Sequence, residues 1–498
     1  RIVRMSTLSE LLPSGGGGGS TVDFVASGTL PNGSPVILKA DGTVEVVGES
    51  STSVPQSIGS EAIFESATTS FISVAFDTNN SNVFIATYTD YGNASSGTAV
   101  VGTVSGTSVS FSTPVVFEPD AAHTSIYSDP SGSGLFILVY QSGNQGNKGI
   151  AQICQILSGT TLSFGTQNIF SSVNSSDTKA AFSHTDASKV VVIFKNNSNS
   201  GYGTAIVGTI SGLSLSWGSS SVFNASSIEF LSIAGSSSGN FSVSYSDSNA
   251  GKSLVGYISG TSFVAGTPAT FASYGVKSTT GWITSTKFVI GYKGASEWLT
   301  AIVGTVSGTT TISYGTAVTV SSRKVNDNVT MTTDPNATDR VLICWDDQAN
   351  SNYGTAIVGT VSGTSFSWGT LLVFNSGGTG PMSADFEPAI SNTGKFVVAY
   401  QDNGNSNYGA AAVGQAAALV PSTNLTSTNF VGTSTAAYTN AETATIAIQG
   451  GLSTNQTGLT IGSTYYVQED GTFATTADTI SVNAGKALSA TTLLLKDL

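Results

Sequence analysis

Two stretches of this chain are near copies of each other. Gly354–Phe374 reads GTAIVGTVSGTSFSWGTLLVF and Gly203–Phe223 reads GTAIVGTISGLSLSWGSSSVF. Ala356–Val361 is a near-continuous apolar run rich in β-branched residues, the pattern of a strand covered on both faces. Ser362-Gly363 supplies a tight turn, because Gly accepts the positive φ that a short hairpin requires. Ser365–Phe374 then returns with Phe366 and Trp368 alternating against small polar residues. Looser copies begin at Thr98, Gly149, Lys252 and Leu299.

The copies keep a regular distance. Taking the residue three places before each Ser-Gly turn gives Gly102, Gln155, Gly208, Gly256, Gly304 and Gly359, and Gly414 continues the series without a turn. A period of this size signals repeated supersecondary units. Upstream of each hairpin lie two more strand-like runs, such as Phe71–Phe76 with Val83–Tyr88 and Val329–Thr333 with Val341–Trp345. Four strands per copy, repeated seven times, predict an all-β chain built as a seven-bladed β-propeller.

The ends of the repeat region support a ring. The seventh copy offers three strands, near Ala384–Ile390, Lys395–Tyr400 and Ala410–Gly414, and stops at Ala416–Pro421. An orphan strand, Ser57–Phe64 (SIGSEAIF), precedes the first copy and matches the fourth-strand pattern of Ser110–Phe117. The early strand is expected to complete the last blade and so remove an exposed sheet edge.

Only 9% of residues are charged and Gly is abundant at 57, which suits a turn-rich β protein. The formal net charge of −13 leaves no basic stripe to meet phosphates, so nucleic acid is not an expected partner. No run approaches the roughly 18 apolar residues of a membrane-spanning helix.

Four segments follow. Residues 1–20 hold Met5–Leu12, a short amphipathic candidate helix, then Pro13 and the Gly15–Gly19 run, a flexible tether without the long apolar core of a secretory signal. Residues 21–54 carry strands around an Asp41-Gly42 turn. Residues 55–420 hold the propeller. Residues 421–498 form a second β region, with NFVGTSTA at Asn429–Ala436, TATIAIQGG at Thr443–Gly451, an Asp470-Gly471 turn, and last strands at Thr479–Val482 and Leu488–Leu495. The 21–54 piece is too short to fold alone, so both flanks are expected to build one small β domain.

These flanks carry a resemblance. MSTLSELLPSGGGG followed by VDFVASGTLPNGSPVILKADGTVEVV, and TGLTIGSTYYVQEDGTFATTADTISVNAGKALSATTLLL, resemble segments of tailed-phage virion proteins, of the marine phage type, and of their fibre-like appendages. The resemblance covers about a fifth of the chain and does not require the propeller. It implies a non-enzymatic structural protein of the virion, in tail fibre or capsid decoration. It also implies assembly in the host cytoplasm and release by lysis. Other virion proteins would be its partners, through the N-terminal segment and the small β domain, and several copies would sit on one particle.

Within a blade, the turn between strands two and three lies at the same end as the link to the next blade. At that end fall Tyr91, Tyr202, Trp298, the pair Asp346 and Asp347 leading to Tyr353, and Asp402 leading to Tyr408. Amide and carboxylate groups can hydrogen-bond sugar hydroxyls, and Tyr or Trp can cover a sugar's apolar face. Host-surface glycan is the ligand this pattern points to, although Asn, Asp and Gly are also ordinary turn residues.

An enzyme is not expected: the hairpins carry Ser-Gly-Thr-Ser where sialidase blades carry an aspartate-bearing box, and no nucleophile elbow or phosphate loop stands out. No metal or cofactor is expected, since His123 and His184 lack ligand spacing. Cys154 and Cys344 fall in non-neighbouring blades and read as buried free thiols. Trp217 and Trp368 recur at one fourth-strand position, which points to packing between blades. The alternative to a virion protein is a secreted bacterial lectin-like propeller; a polysaccharide-degrading enzyme ranks below both.

Overall fold

The computed structural model describes residues 21–157, 159–386 and 394–496. The candidate helix and tether at residues 1–20 lie outside them. Among the described residues there is no α-helix; four single 3-10 turns interrupt an otherwise all-β chain. It divides into two compact units, Val54–Ala418 and a second made of residues 21–53 with 419–496.

In the Val54–Ala418 unit the strands form antiparallel sets, seven among the described residues. One set shows the pattern. The end of Val318–Thr333 pairs with Arg340–Asp347, which pairs with Tyr353–Ser362, and this third strand carries Ser365–Trp368 and Leu372–Asn375 on its outer edge. The outer strand is therefore broken in two. At the break the Gly369 amide donates to Val358 O at 2.9 Å, and equivalent bonds recur at Gly59, Ser112, Gly165, Gly218, Gly266 and Gly315. The break admits the next set's hairpin turn: a Cβ on Gly218 would overlap Thr261, and one on Gly315 would meet Thr364.

Each set is bonded to the one before it. The first amide of each first strand donates to a carbonyl in the preceding set's turn between strands two and three: Ala121 to Ser95, Ser175 to Asn147, Ile228 to Gly201, Gly275 to Asn249, Val325 to Glu297 and Thr379 to Asn352, all at 2.8–3.1 Å. Every acceptor residue has positive φ, which turns its carbonyl outward from the turn. The same bond joins Thr69 to Asn407, so the first set meets the seventh. First strands also neighbour one another in order, with Thr379–Phe386 beside Thr69–Asp77. This is β-propeller topology.

The recurrent sequence string now has a cause. A Cβ on Gly354 would overlap the Phe374 ring, and the same holds for Gly97 under Phe117, Gly203 under Phe223 and Gly409 under Phe64. The second recurrent glycine lies under an aromatic of strand two (Gly102 and Phe84, Gly304 and Phe288) or strand four (Gly208 and Trp217, Gly359 and Trp368). Glycine and ring recur together because each fills the other's space. Trp217 also meets Phe170 of the preceding set edge-on at 5.9 Å.

The register corrects three sequence readings. The second set's equivalent of Gly102 is Cys154, which pairs with Phe136 as Gly102 pairs with Phe84; Gln155 is one place off, because the hairpin holds an additional residue, Leu157. Ser57–Phe64 is two short strands, Ser57–Ile58 and Ala62–Glu65, both on Tyr408–Gln415. The seventh first strand is Thr379–Phe386, earlier than the expected Ala384–Ile390, most of which lies outside the described residues. Cys154 and Cys344 are buried free thiols.

In the second unit the two chain ends interleave. The sheet order is Thr21–Val25, Thr443–Ala447, Phe430–Ser434, Pro35–Leu38, Val44–Val46. A second sheet joins Leu452–Ser453, Leu493–Leu495, Val482–Ala487, Thr464–Val467 and Phe473–Ala474. The strand read at Thr479–Val482 thus starts where that reading ends, at Val482.

Candidate functional site

The turn between strands two and three is built the same way in several sets. A 3-10 turn such as Asn197–Asn199 or Gln348–Asn350 ends on a left-handed residue, Ser200 or Ser351. Asn196 and Asp347 hold these turns by accepting from Asn199 N and Ala349 N, each at 3.1 Å. The chain then re-enters the sheet with an aromatic: Tyr202 opposite Asn196, Tyr353 opposite Asp347, Tyr408 opposite Asp402. Trp298 starts the third strand of the fifth set, and Tyr91 begins the 3-10 turn of the first. Tyr91 and Trp298 are 49% and 41% exposed, while Tyr202, Tyr353 and Tyr408 are half-buried. All five occupy one end of the repeats.

The three aspartates are placed differently from the sequence expectation. Asp346 is fully buried, and its carboxylate accepts from the amides of Asp327 and Asn328 at 2.9 Å; burial pushes its pKa up. Asp347, also buried, pairs with Arg323 at 2.7 Å. Asp402 accepts from Asn375 Nδ2 at 2.9 Å and Gly404 N at 3.0 Å. Their oxygens hold backbone turns and neighbouring side chains, so they support the aromatics and do not line the exposed surface beside them.

Sequence reasoning missed a second feature. Every first strand carries a two- or three-residue bulge near its start. The leading bulge residue is left-handed in five sets: Phe71, His123, Asp177, Phe230 and Lys277, with φ between 47 and 58°. Non-glycine residues hold such φ only where their surroundings enforce it. Here the enforcement crosses between sets. Thr89 Oγ1 donates to Ala121 O at 2.8 Å, Gln141 Nε2 to Ser175 O at 2.7 Å and Ser246 Oγ to Gly275 O at 2.7 Å. The bulge side chains touch in turn: Phe71 packs on His123 at 4.5 Å, Asp177 accepts from Leu231 N at 2.8 Å, and Lys277 lies 4.3 Å over Phe230 and 3.4 Å from Asp327. Because the residue types differ at each place, only the strand register reveals them.

Burial lowers the pKa of both His123 and His184. The folded chain therefore holds them neutral, and the stability this confers is present above the unfolded value of about 6.5 and lost as pH falls below it. The melting temperature is expected to fall by a few degrees between pH 7 and pH 5, and His123→Gln with His184→Gln should flatten that slope. An unchanged slope in the double variant would assign it to other groups. Among the described residues no group of three or more His, Cys, Asp or Glu is placed to hold a metal ion.

No protein-family model matches the chain, and no curated protein matches it. Solved structures do. A lectin, BP39L from Burkholderia pseudomallei, aligns with a TM-score of 0.51 at 10% identity over 72% of this chain and 98% of its own. The NanB sialidase of Streptococcus pneumoniae aligns at 0.42 and 11% identity over 72% and 70%. A leech intramolecular trans-sialidase aligns at 0.41 and 9% over 73% and 70%. Likeness at this identity is likeness of fold. The expectation that the chain is not an enzyme is withdrawn, because sialidases stand among the structures it resembles.

Proposed function

We propose that this chain is a carbohydrate-binding, lectin-like β-propeller of seven blades, its ring closed by the segment 57–64. The observation that carries the reading is the recurrence of Tyr91, Tyr202, Trp298, Tyr353 and Tyr408 at one end of the repeats, two of them well exposed. Rings held on rigid sheet ends are suited to stack on sugar faces, while turn amides meet the hydroxyls. The shared fold with a lectin supports the same reading. Each position offers one ring and a few polar groups, so single contacts are weak and binding gains from many of them.

The resemblance of the flanks to tailed-phage proteins supports a virion appendage as the setting, with the small β unit as attachment and host glycan as ligand. Finding its peptides in purified particles by mass spectrometry would support that setting; finding it secreted by a bacterium would favour the free lectin.

The binding test is adsorption of purified protein to extracted surface polysaccharide. Tyr353→Ala with Tyr408→Ala should weaken adsorption by about tenfold, some 1.4 kcal/mol, with the melting temperature kept. Trp298→Ala should add to the loss. Unchanged adsorption in the triple variant would remove these turns from the mechanism. Release of shorter saccharides by the wild type would make the surface catalytic.

A further inference from the structure

A cavity of about 1100 Å³ runs along the first strands of the Val54–Ala418 unit, touching all seven through residues such as Ile72, Ser125, Lys179, Leu231, Ser278 and Met382. Its exposed lining residues, among them Ser131, His184, Ser237, Thr284 and Pro335, all belong to turns between first and second strands, so solvent enters there. At the other end none of the left-handed bulge residues lines it. The cavity is a cup that opens at the end opposite the aromatic turns.

The wall is made of Ser and Thr hydroxyls set between apolar groups, and three of its residues can bear charge. Asp334 is neutralised by Arg340 at 2.6 Å near the open end. His184 sits there too, in the exposed turn between first and second strands. Lys179 stands on the strand wall, where its Nζ donates to Ser125 Oγ at 3.2 Å. Among the described residues it makes no ion pair. The nearby Asp177 is turned to the Leu231 amide. Ser278, only 5% exposed, lines the cavity and its Oγ has no hydrogen-bond partner.

An ammonium on a walled surface without a counter-ion, beside unused hydroxyl capacity, is chemistry that an anionic, hydroxylated guest completes. A carboxylate accepts from Lys179, and ligand hydroxyls meet the Ser and Thr hydroxyls that the wall leaves open. The volume suits a small ligand held deep. The net charge of −13 repels polyanions, so a single carboxylate fits better than a highly charged chain.

We propose that this cup binds a small sugar acid, carboxylate inward on Lys179. The proposal stands apart from the reading of the aromatic turns, which lie at the other end. The probe is D-glucuronate, titrated calorimetrically into the full chain beside D-glucose, the same ring without the carboxylate. Glucuronate should bind at least about tenfold more tightly than glucose. Lys179→Met should bring glucuronate down to the glucose level with the melting temperature kept, and Lys179→Arg should retain most of the preference. No binding of glucuronate by the wild type, equal binding of the two sugars, or an unchanged preference in Lys179→Met would each overturn the proposal.

Discussion

Deletion of residues 57–65 will abolish cooperative melting of the Val54–Ala418 unit. Two strands go with it, and Tyr408–Gln415 loses its pairing through Ser57, Ile58, Ala62, Ile63 and Glu65. The bare third strand becomes an edge able to pair with other copies, so aggregation is the expected end point. The loss reaches beyond hydrogen bonds. Phe64 is 7% exposed, fills the space over Gly409, and meets Tyr88 at 5.0 Å and Phe111 at 5.6 Å in the first set. Glu61 accepts from Tyr400 OH at 2.6 Å, and Glu65 from Tyr88 OH at 3.2 Å. One short segment thus joins the last set to the first. A milder variant grades the effect: Phe64→Ala should cost about 3–5 kcal/mol in denaturant unfolding, the usual range for emptying a buried aromatic site. A deletion variant that melts like the parent would show that the segment does not close the unit.

The repeat was legible because its cause is local. Gly354 and Phe374 must change together, so the pair survives in several copies and shows as a string. The turn Asp41-Gly42 was legible for a similar reason: Asp41 Oδ1 accepts from Thr43 N at 3.0 Å, and Gly42 takes φ 83°. Register was less legible. One added residue, Leu157, displaces the second hairpin by a place, and counting back from the Ser-Gly turn cannot detect it. Val482–Ala487 escaped because VNAGKA shows no clean alternation of apolar and polar residues. The aromatic positions of the candidate surface could be found by their place before a third strand. The burial of Asp346 could not, because its donors come from a bulge 18 and 19 residues earlier in sequence. The bulge residues and the cup were hidden altogether. They exist only where first strands of different sets meet, and the bulge side chains share no chemistry.

The C-terminal region expressed without residues 21–48 will fail to form its first sheet. Three of that sheet's five strands come from the N-terminal segment. Thr21–Val25 pairs along its whole length with Thr443–Ala447, and Pro35–Leu38 pairs with Phe430–Ser434. Leu30, Val36 and Val44 pack with Val431, Ala444 and Ile446 in one core, while Ile37 and Val47 enter another with Leu459, Tyr465 and Leu493. Five such side chains at roughly 1.5–3 kcal/mol each amount to about 8–15 kcal/mol, as much as the whole stability of an ordinary domain. Polar ties add to this: Asn424 donates to Glu45 Oε1 at 2.9 Å and to Val46 O at 2.8 Å, and Gln456 Nε2 donates to Gly33 O at 2.7 Å. Amide NMR of a 419–498 fragment should therefore show collapsed dispersion for Phe430–Ala447. A 21–48 peptide, added in trans or fused ahead of it, should restore the dispersed spectrum. The second sheet draws all five of its strands from the C-terminal segment, so signals from Thr464–Val467 and Val482–Ala487 should be disturbed less than those of the first sheet, by the loss of Ile37 and Val47 from the core they share. Dispersed signals from Phe430–Ala447 in the fragment alone would mean that the N-terminal strands are an addition to a domain complete without them.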